Sequence, residues 1–257
     1  MILAVHCGNT QTRVSCVDGT TVCTPVFALE TNLNRTTFEY ADSISRMLTL
    51  TGYSPADVEG CILACVVPPL TETLSGALKL LCHKNVLVVS AGIRTGIRLK
   101  IDDPGSAAAD IVASAVAARE YYPLPAVILS LDTATTATIV DSSGTYIGGV
   151  ILPGVGISSR ALAGSTSLLP TIDLKPAKKV IATSTADAMK AGLIYGNAGA
   201  LDGILDRFEA ELGEPPASII ATGHYAAPIV SCCRHKLIIN ETLLMQGLGL
   251  IWQRNIK

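Results

Sequence analysis

One arrangement occurs twice in this chain and constrains its fold more than any other feature. Ile2–Val5 reads as a strand, His6–Thr12 as a glycine-containing turn and Arg13–Val17 as a second strand. Asp18-Gly19 is a hairpin signal, with Thr21–Pro25 as a third strand. After Pro123 and Pro125 the pattern restarts: Ala126–Leu131, Thr135–Val140, a Ser143-Gly144 turn, then Tyr146–Ile151. The two openings, His6-Cys7-Gly8-Asn9-Thr10 and Ser130-Leu131-Asp132-Thr133-Ala134-Thr135, are similar in kind. In the first half, helices are predicted at Phe38–Leu50, Leu70–Cys82 and Asp110–Tyr122, with strands at Gly60–Val67 and Asn85–Val89. In the second, helices are predicted at Gly156–Gly164, Ser184–Leu212 and Glu241–Asn255, with strands at Ser218–Thr222 and Leu237–Ile239. This weak internal repeat predicts an α/β chain of two subdomains, 1–115 and 116–257, facing one another across a cleft.

Composition agrees and excludes several functions. Of 257 residues, 49% are hydrophobic and 16% charged, which suits a buried sheet. A formal net charge of −2 steers the chain toward neither nucleic acid nor an anionic membrane. Aromatic residues, at 4%, are too scarce for base-stacking platforms. The N-terminus lacks the basic lead of a signal peptide, and polar residues interrupt each apolar run before membrane-spanning length. The expectation is a cytoplasmic protein. Among the eight cysteines, Cys7, Cys16, Cys23, Cys61, Cys65 and Cys82 lie mostly among Val, Ile, Leu and Ala, where a free thiol packs as a small hydrophobe. Neither Cys61 and Cys65 nor Cys232-Cys233 beside His235 has the spacing of a zinc site.

The two repeated turns carry the chemistry. Gly8-Asn9-Thr10 offers backbone N–H groups, an amide and a hydroxyl at a strand end, and Gly8 permits close approach of an anion. Thr133-Ala134-Thr135-Thr136 offers three hydroxyls in the same setting. Two such turns suit a nucleotide's phosphates. Each taken alone also reads as an ordinary polar hairpin turn.

In order and spacing, three blocks resemble the type III pantothenate kinases. They are Gly8-Asn9-Thr10; Thr95-Gly96-Ile97 through Asp102-Asp103-Pro104 to Asp110 and Ala115–Ala118; and Thr133–Thr136 through Gly148-Gly149-Val150-Ile151 to Pro153-Gly154. Smaller matches are Val66-Val67-Pro68, Ala188-Met189 with Gly192 and Tyr195-Gly196, Ala221-Thr222-Gly223 and Gly247–Asn255. The resemblance implies two actin-like subdomains of the acetate and sugar kinase type, ribonuclease H-like in build, and a homodimer. It implies ATP-dependent phosphorylation of pantothenate to 4′-phosphopantothenate, the first step of coenzyme A biosynthesis, with Mg2+ and a monovalent cation (K+ or NH4+). It assigns Asp110 as general base, Gly8, Asn9, Thr10, Thr133, Thr135 and Thr136 to the phosphates, and Gly148, Gly149, Pro153 and Gly154 to the adenosine side. Gly105, Ala108 and Thr185 fall to the pantothenate, Thr185 from across the dimer interface. Asp110 reads equally as an N-cap of the following helix, and Thr185 as a cap of its own.

Four positions depart from that family's pattern. His6 stands where the family has Asp in its first turn, and Ser130 and Asp132 where it has the Asp and Gly of an Asp-x-Gly-Thr turn. Ile111 replaces the Arg after the catalytic Asp; in addition, Ala108 replaces a Gly of that block. His is a poor ligand for Mg2+, Ile111 cannot make Arg's bidentate contact, and Ala108 adds a Cβ. Asp132 puts a carboxylate beside an anion site. At about 4 Å and an effective dielectric near 20 the repulsion is about 4 kcal/mol. Asp132 shares a face with Ser130 and is the candidate metal ligand in its place. These departures leave four readings: a kinase active alone, a subunit that completes the site of a paralogous partner, an inactive homologue with a binding or regulatory role, and, from Ile111, a kinase for another small hydroxylated substrate.

Overall fold

The computed structural model describes residues 1–173 and 179–256. It contains two units, Met1–Tyr121 with Thr242–Lys257, and Tyr122–Glu241.

In the first unit, β1 (Ile2–Cys7), β2 (Gln11–Asp18), β3 (Thr21–Val22), β4 (Phe27–Glu30), β5 (Gly60–Cys65), β6 (Val86–Val88) and β7 (Arg98–Leu99) join α1 (Thr37–Leu50), α2 (Pro68–Cys82) and α3 (Ala109–Tyr121). The sheet runs β3-β2-β1-β5-β6, with β4 paired to β2. β1 is antiparallel to β2 and parallel to β5. As the central strand it is buried along its whole length, which explains its near-continuous apolar sequence. Leu3, Val5 and Cys7 point into a core with Tyr40, Ile44 and Leu48 of α1 and Leu70, Leu74 and Leu78 of α2. The helical i, i+4, i+8 spacing gives α2 its apolar stripe, and Pro68-Pro69 occupies the first turn, where no backbone donor is missed.

In the second unit, β8 (Ala126–Leu131), β9 (Ala134–Val140), β10 (Thr145–Pro153), β11 (Ser218–Thr222) and β12 (Ile238–Ile239) join α4 (Val155–Gly164), α5 (Thr185–Leu212) and α6 (Ala226–Val230). The strand order β12-β11-β8-β9-β10 reproduces that of the first unit: the opening strand is central, antiparallel to the second and parallel to the fourth. The repeat expected from the two similar openings is therefore a repeat of topology. Buried Val127, Leu129 and Leu131 of β8 pack with Leu193, Leu201, Leu205 and Phe208 of α5 and Ile229 of α6.

The boundary expected between residues 115 and 116 falls inside α3, whereas the units divide after Tyr121, and the last helix, α7 (Leu243–Asn255), belongs with the first unit. It packs on α3 and on β1, β2, β3 and β5. Small residues permit this close packing. A Cβ on Gly247 would fall on the carbonyl of Ala113, 2.6 Å from its carbon, and one on Gly249 would lie 2.6 Å from the Gly19 carbonyl oxygen. The alanine-rich sequence of α3 is thus a packing surface, with Val112–Ala118 buried throughout.

Two further expectations change. The third strand ends at Val22, because the Thr24 hydroxyl replaces the ladder by accepting from Cys16 N–H (3.0 Å) and Pro25 has no donor. The chain re-pairs as β4 against Gln11–Val14. Cys7, Cys16, Cys61 and Cys82 are buried as expected, but Cys23, just past the short β3, is exposed. Among the described residues no helix is long and apolar enough to cross a membrane.

Candidate functional site

In the first unit the β1–β2 turn is built by hydrogen bonds from outside it. Gly8 N–H donates to Gln11 O (3.0 Å), the Thr31 hydroxyl donates to Gly8 O (2.7 Å) and Thr31 N–H donates to Thr10 O (3.0 Å). Thr31 itself is held by the buried Thr12 hydroxyl at 2.9 Å. Asn9 and Thr10 are left exposed on a turn whose shape is fixed. Thr31 carries no signal in the sequence; only the re-pairing of β4 brings it here.

Asp110 is the second residue of α3, so it is not the helix cap. The preceding Ala108 carbonyl accepts from Val112 N–H (3.0 Å) and opens the helix. One oxygen of Asp110 accepts from the N–H of Ile111 (2.9 Å), which fixes the carboxylate near its own backbone. The other oxygen, Oδ2, lies 3.8 Å from His6 Nε2. The His6 ring is buried, and a Cβ on Gly8 would be 3.2 Å from its Cε1, so the imidazole fits between the turn and Asp110 because residue 8 is glycine. Gly105 lies in an exposed turn where Asp103 accepts from its N–H at 3.0 Å.

In the second unit the corresponding turn is held still more closely. A Cβ on Gly154 would fall on the Asp132 and Thr133 carbonyl oxygens, 2.7 Å from the Thr133 carbonyl carbon. Gly223, at φ +103°, brings the next loop within the same reach of Leu131. Tyr225 N–H donates to Leu131 O (3.0 Å). Asp132 Oδ1 accepts from His224 N–H (3.0 Å). The carboxylate that departs from the family's glycine therefore ties the β8–β9 turn to the loop after β11, and this bond offsets part of its negative charge. Gly223 and His224 were not assigned to the expected site; their signals were the family match at Ala221-Thr222-Gly223 and the Gly after an apolar strand.

Thr135 is 1% exposed, and its hydroxyl has no hydrogen-bond partner among the described residues. Such an atom costs stability unless something else satisfies it. Thr133 and Thr136 are half-buried around it, and Ser130, one residue before the end of β8, lies beside Thr136 and Thr222. Gly154 leads into α4, whose first N–H groups start next to the turn.

Gly148 and Gly149 sit elsewhere than at a turn. They lie inside β10 at a break in its register with β9, Gly148 at φ +111°. A Cβ on Gly149 would be 2.7 Å from Thr138 Cα, so the close strand approach requires glycine there. Three residues separate Gly149 from Pro153, about 13 Å along a strand. At the start of α5 the cap is Ser184, whose hydroxyl accepts from Asp187 N–H (3.2 Å) and donates to its carboxylate (2.8 Å). Thr185 is exposed and has no capping duty.

Asp132 is the carboxylate that the second turn supplies, and among the described residues no group of three or more His, Cys, Asp or Glu side chains is placed to hold a metal ion.

The model of the type III pantothenate kinase family matches residues 2–207. A type III pantothenate kinase of Anaeromyxobacter sp. (strain K) is 36% identical over 255 residues, covering 99% of this chain and 100% of the relative. One from Halalkalibacterium halodurans is 34% identical over 256 residues, 100% of each. Among solved structures, a Baf family protein of Campylobacter jejuni superposes with a TM-score of 0.62 at 16% identity, covering 99% and 98% of the two chains. A ROK hexokinase of Thermus thermophilus superposes at 0.50 with 11% identity and 97% coverage of each. At those identities the structures speak to the fold, which is the actin-like α/β fold of the sugar kinases.

Proposed function

The chain belongs to the type III pantothenate kinase family, and we propose that Asp110 is the base of its reaction and that the β1–β2 and β8–β9 turns take the phosphates. The protein is a small-molecule kinase that uses ATP to phosphorylate pantothenate. In phosphoryl transfer the protein chiefly positions groups and stabilises charge. Asp110 has the geometry for its part: one oxygen is fixed by Ile111 N–H, and the other is directed away from that bond. It accepts the proton of the primary hydroxyl of pantothenate as that oxygen attacks the γ-phosphorus. The exposed Asn9 and Thr10 and the threonines at 133, 135 and 136 donate to phosphate oxygens, while Gly8, its N–H held by Gln11 O, lets a phosphate approach the turn closely. The observation that carries this reading is the buried, unpartnered hydroxyl of Thr135 at the second turn.

A divalent ion arriving with ATP keeps phosphate oxygens and water as ligands; Asp132 stands nearest in sequence to offer a carboxylate. Neutral Ser130 offers a monovalent cation a hydroxyl and a carbonyl in place of a carboxylate. The exposed Thr185 reads as a pantothenate contact made across a homodimer. Free thiols and a nucleotide substrate suit the cytoplasm. The test is turnover by the purified chain with and without Asp110→Asn. Loss of turnover by at least about 100-fold at unchanged ATP affinity supports the assignment, and full turnover by Asp110→Asn removes it. Sedimentation of the pure protein decides the dimer, and a raised pantothenate KM in Thr185→Ala supports the cross-interface contact.

A further inference from the structure

We infer that His6 is the positioning residue of Asp110, and that it receives the proton Asp110 takes from substrate. The inference rests on Asp110 as the base. His6 occupies a strand that is otherwise apolar, on the face opposite Leu3, Val5 and Cys7. Its ring is 7% exposed, and Nε2 is 3.8 Å from the Asp110 oxygen not fixed by Ile111. That separation is an ion-pair contact, longer than a hydrogen bond. Contacts of this kind in ligand-free sites tighten once substrate is bound.

The chemistry follows from ordinary affinities. An imidazole binds a proton near pH 6.5 and a carboxylate near pH 4. When the substrate O–H bond breaks, its proton first forms O–H on Asp110 Oδ2. Transfer to the unprotonated Nε2 of neutral His6 then restores the carboxylate and leaves an imidazolium beside it. Oppositely charged neighbours at this distance favour each other's charged forms. The proton leaves by the same path, because Asp110 is partly exposed and His6 is not. β2 and β5 pair with β1 at His6. Arg13 of β2 is its cross-strand neighbour and disfavours the imidazolium; Ala64 of β5 is uncharged. The turn contributes Gly8 and Gln11, and α7 carries no charge between Leu243 and Gln253. Asp110 of α3 is the carboxylate beside the ring and stabilises a protonated His6.

Two independent measurements test this. In the first, His6 is followed by ring nitrogen NMR through a pH titration of the wild-type chain and of Asp110→Asn. The midpoint is expected to fall by about one pH unit or more in the variant; an unchanged midpoint overturns the pairing. This readout needs no kinase activity, so it stands even if Asp110 proves not to be the base. In the second, His6→Gln keeps a polar group of similar reach that cannot take the proton. Its kcat is expected to fall about 10- to 100-fold, with the KM values for ATP and pantothenate within about twofold. The acid limb of the kcat–pH profile is expected to move to lower pH. A His6→Gln enzyme with wild-type kcat and an unchanged profile overturns the proton-receiving role. Should His6→Gln fail to fold, the titration decides the pairing by itself.

Discussion

Gly154→Ala isolates the way the fold shapes the second turn. Its backbone, at φ −71° and ψ 161°, is open to any residue, so alanine brings no conformational strain. The added methyl, however, falls on the Asp132 and Thr133 carbonyls, where ordinary contact begins at 3.4 Å. The β8–β9 turn or the start of α4 must therefore move by about 1 Å. Overpacking of this kind costs about 1–3 kcal/mol. At about 2–4 °C per kcal/mol for a chain of this size, Tm should drop by about 2–12 °C. A displacement of about 1 Å in the groups that hold the phosphates should lower kcat/KM for ATP by about 100-fold. Gly164→Ala is the control. It meets nothing within 4 Å at the end of the same helix, and alanine there should be neutral or stabilise by up to about 1 kcal/mol. Calorimetry and steady-state kinetics on both variants check this. A Gly154→Ala protein with wild-type Tm and wild-type kcat/KM for ATP refutes the close approach and the role given to the turn.

Thr135→Val replaces a buried, unpartnered hydroxyl by a methyl. Thermal unfolding should show stability unchanged or raised by about 1 kcal/mol, while the KM for ATP rises. Gly247→Ala forces α7 away from Ala113 and should cost about 1–3 kcal/mol in denaturant unfolding, with kinetics little changed in the protein that remains folded. Asp202, on α5, is buried. Desolvation raises the affinity of its carboxylate for a proton, but the N–H groups of Arg234 and His235 and the His235 ring together outweigh this and hold it below the ordinary range. The unfolded chain thus binds that proton more readily. The stabilisation is complete above about pH 4 and is lost as pH falls through the lower folded value. Asp202→Asn should cost about 3 kcal/mol at neutral pH and flatten the acid side of the stability profile, as read by urea unfolding at a series of pH values.

The strands β1, β5, β8 and β11 were legible because strands buried on both faces must be apolar along their length. The helices were legible because their apolar residues recur at helical spacing. Periodicity names an apolar face without naming what covers it, so α7 read as part of the second unit although Gly247 and Gly249 fit it against the first. The turns at Gly8 and Thr133 could be picked out by residue type. Their supports could not: Thr31 and His224 reach them through pairings between segments distant in the chain. Likewise His6 and Asp132 each read as a loss against the family's pattern. The structure gives both a partner, Asp110 for one and the His224 N–H for the other, which only the folded chain brings near.

The most direct test is a single assay: the purified chain, alone, incubated with ATP, Mg2+ and pantothenate, with 4′-phosphopantothenate followed by mass spectrometry. Product formed in step with ATP consumption, and abolished by Asp110→Asn, is the expected result. Absence of product together with absence of ATP binding by the folded chain would contradict the account.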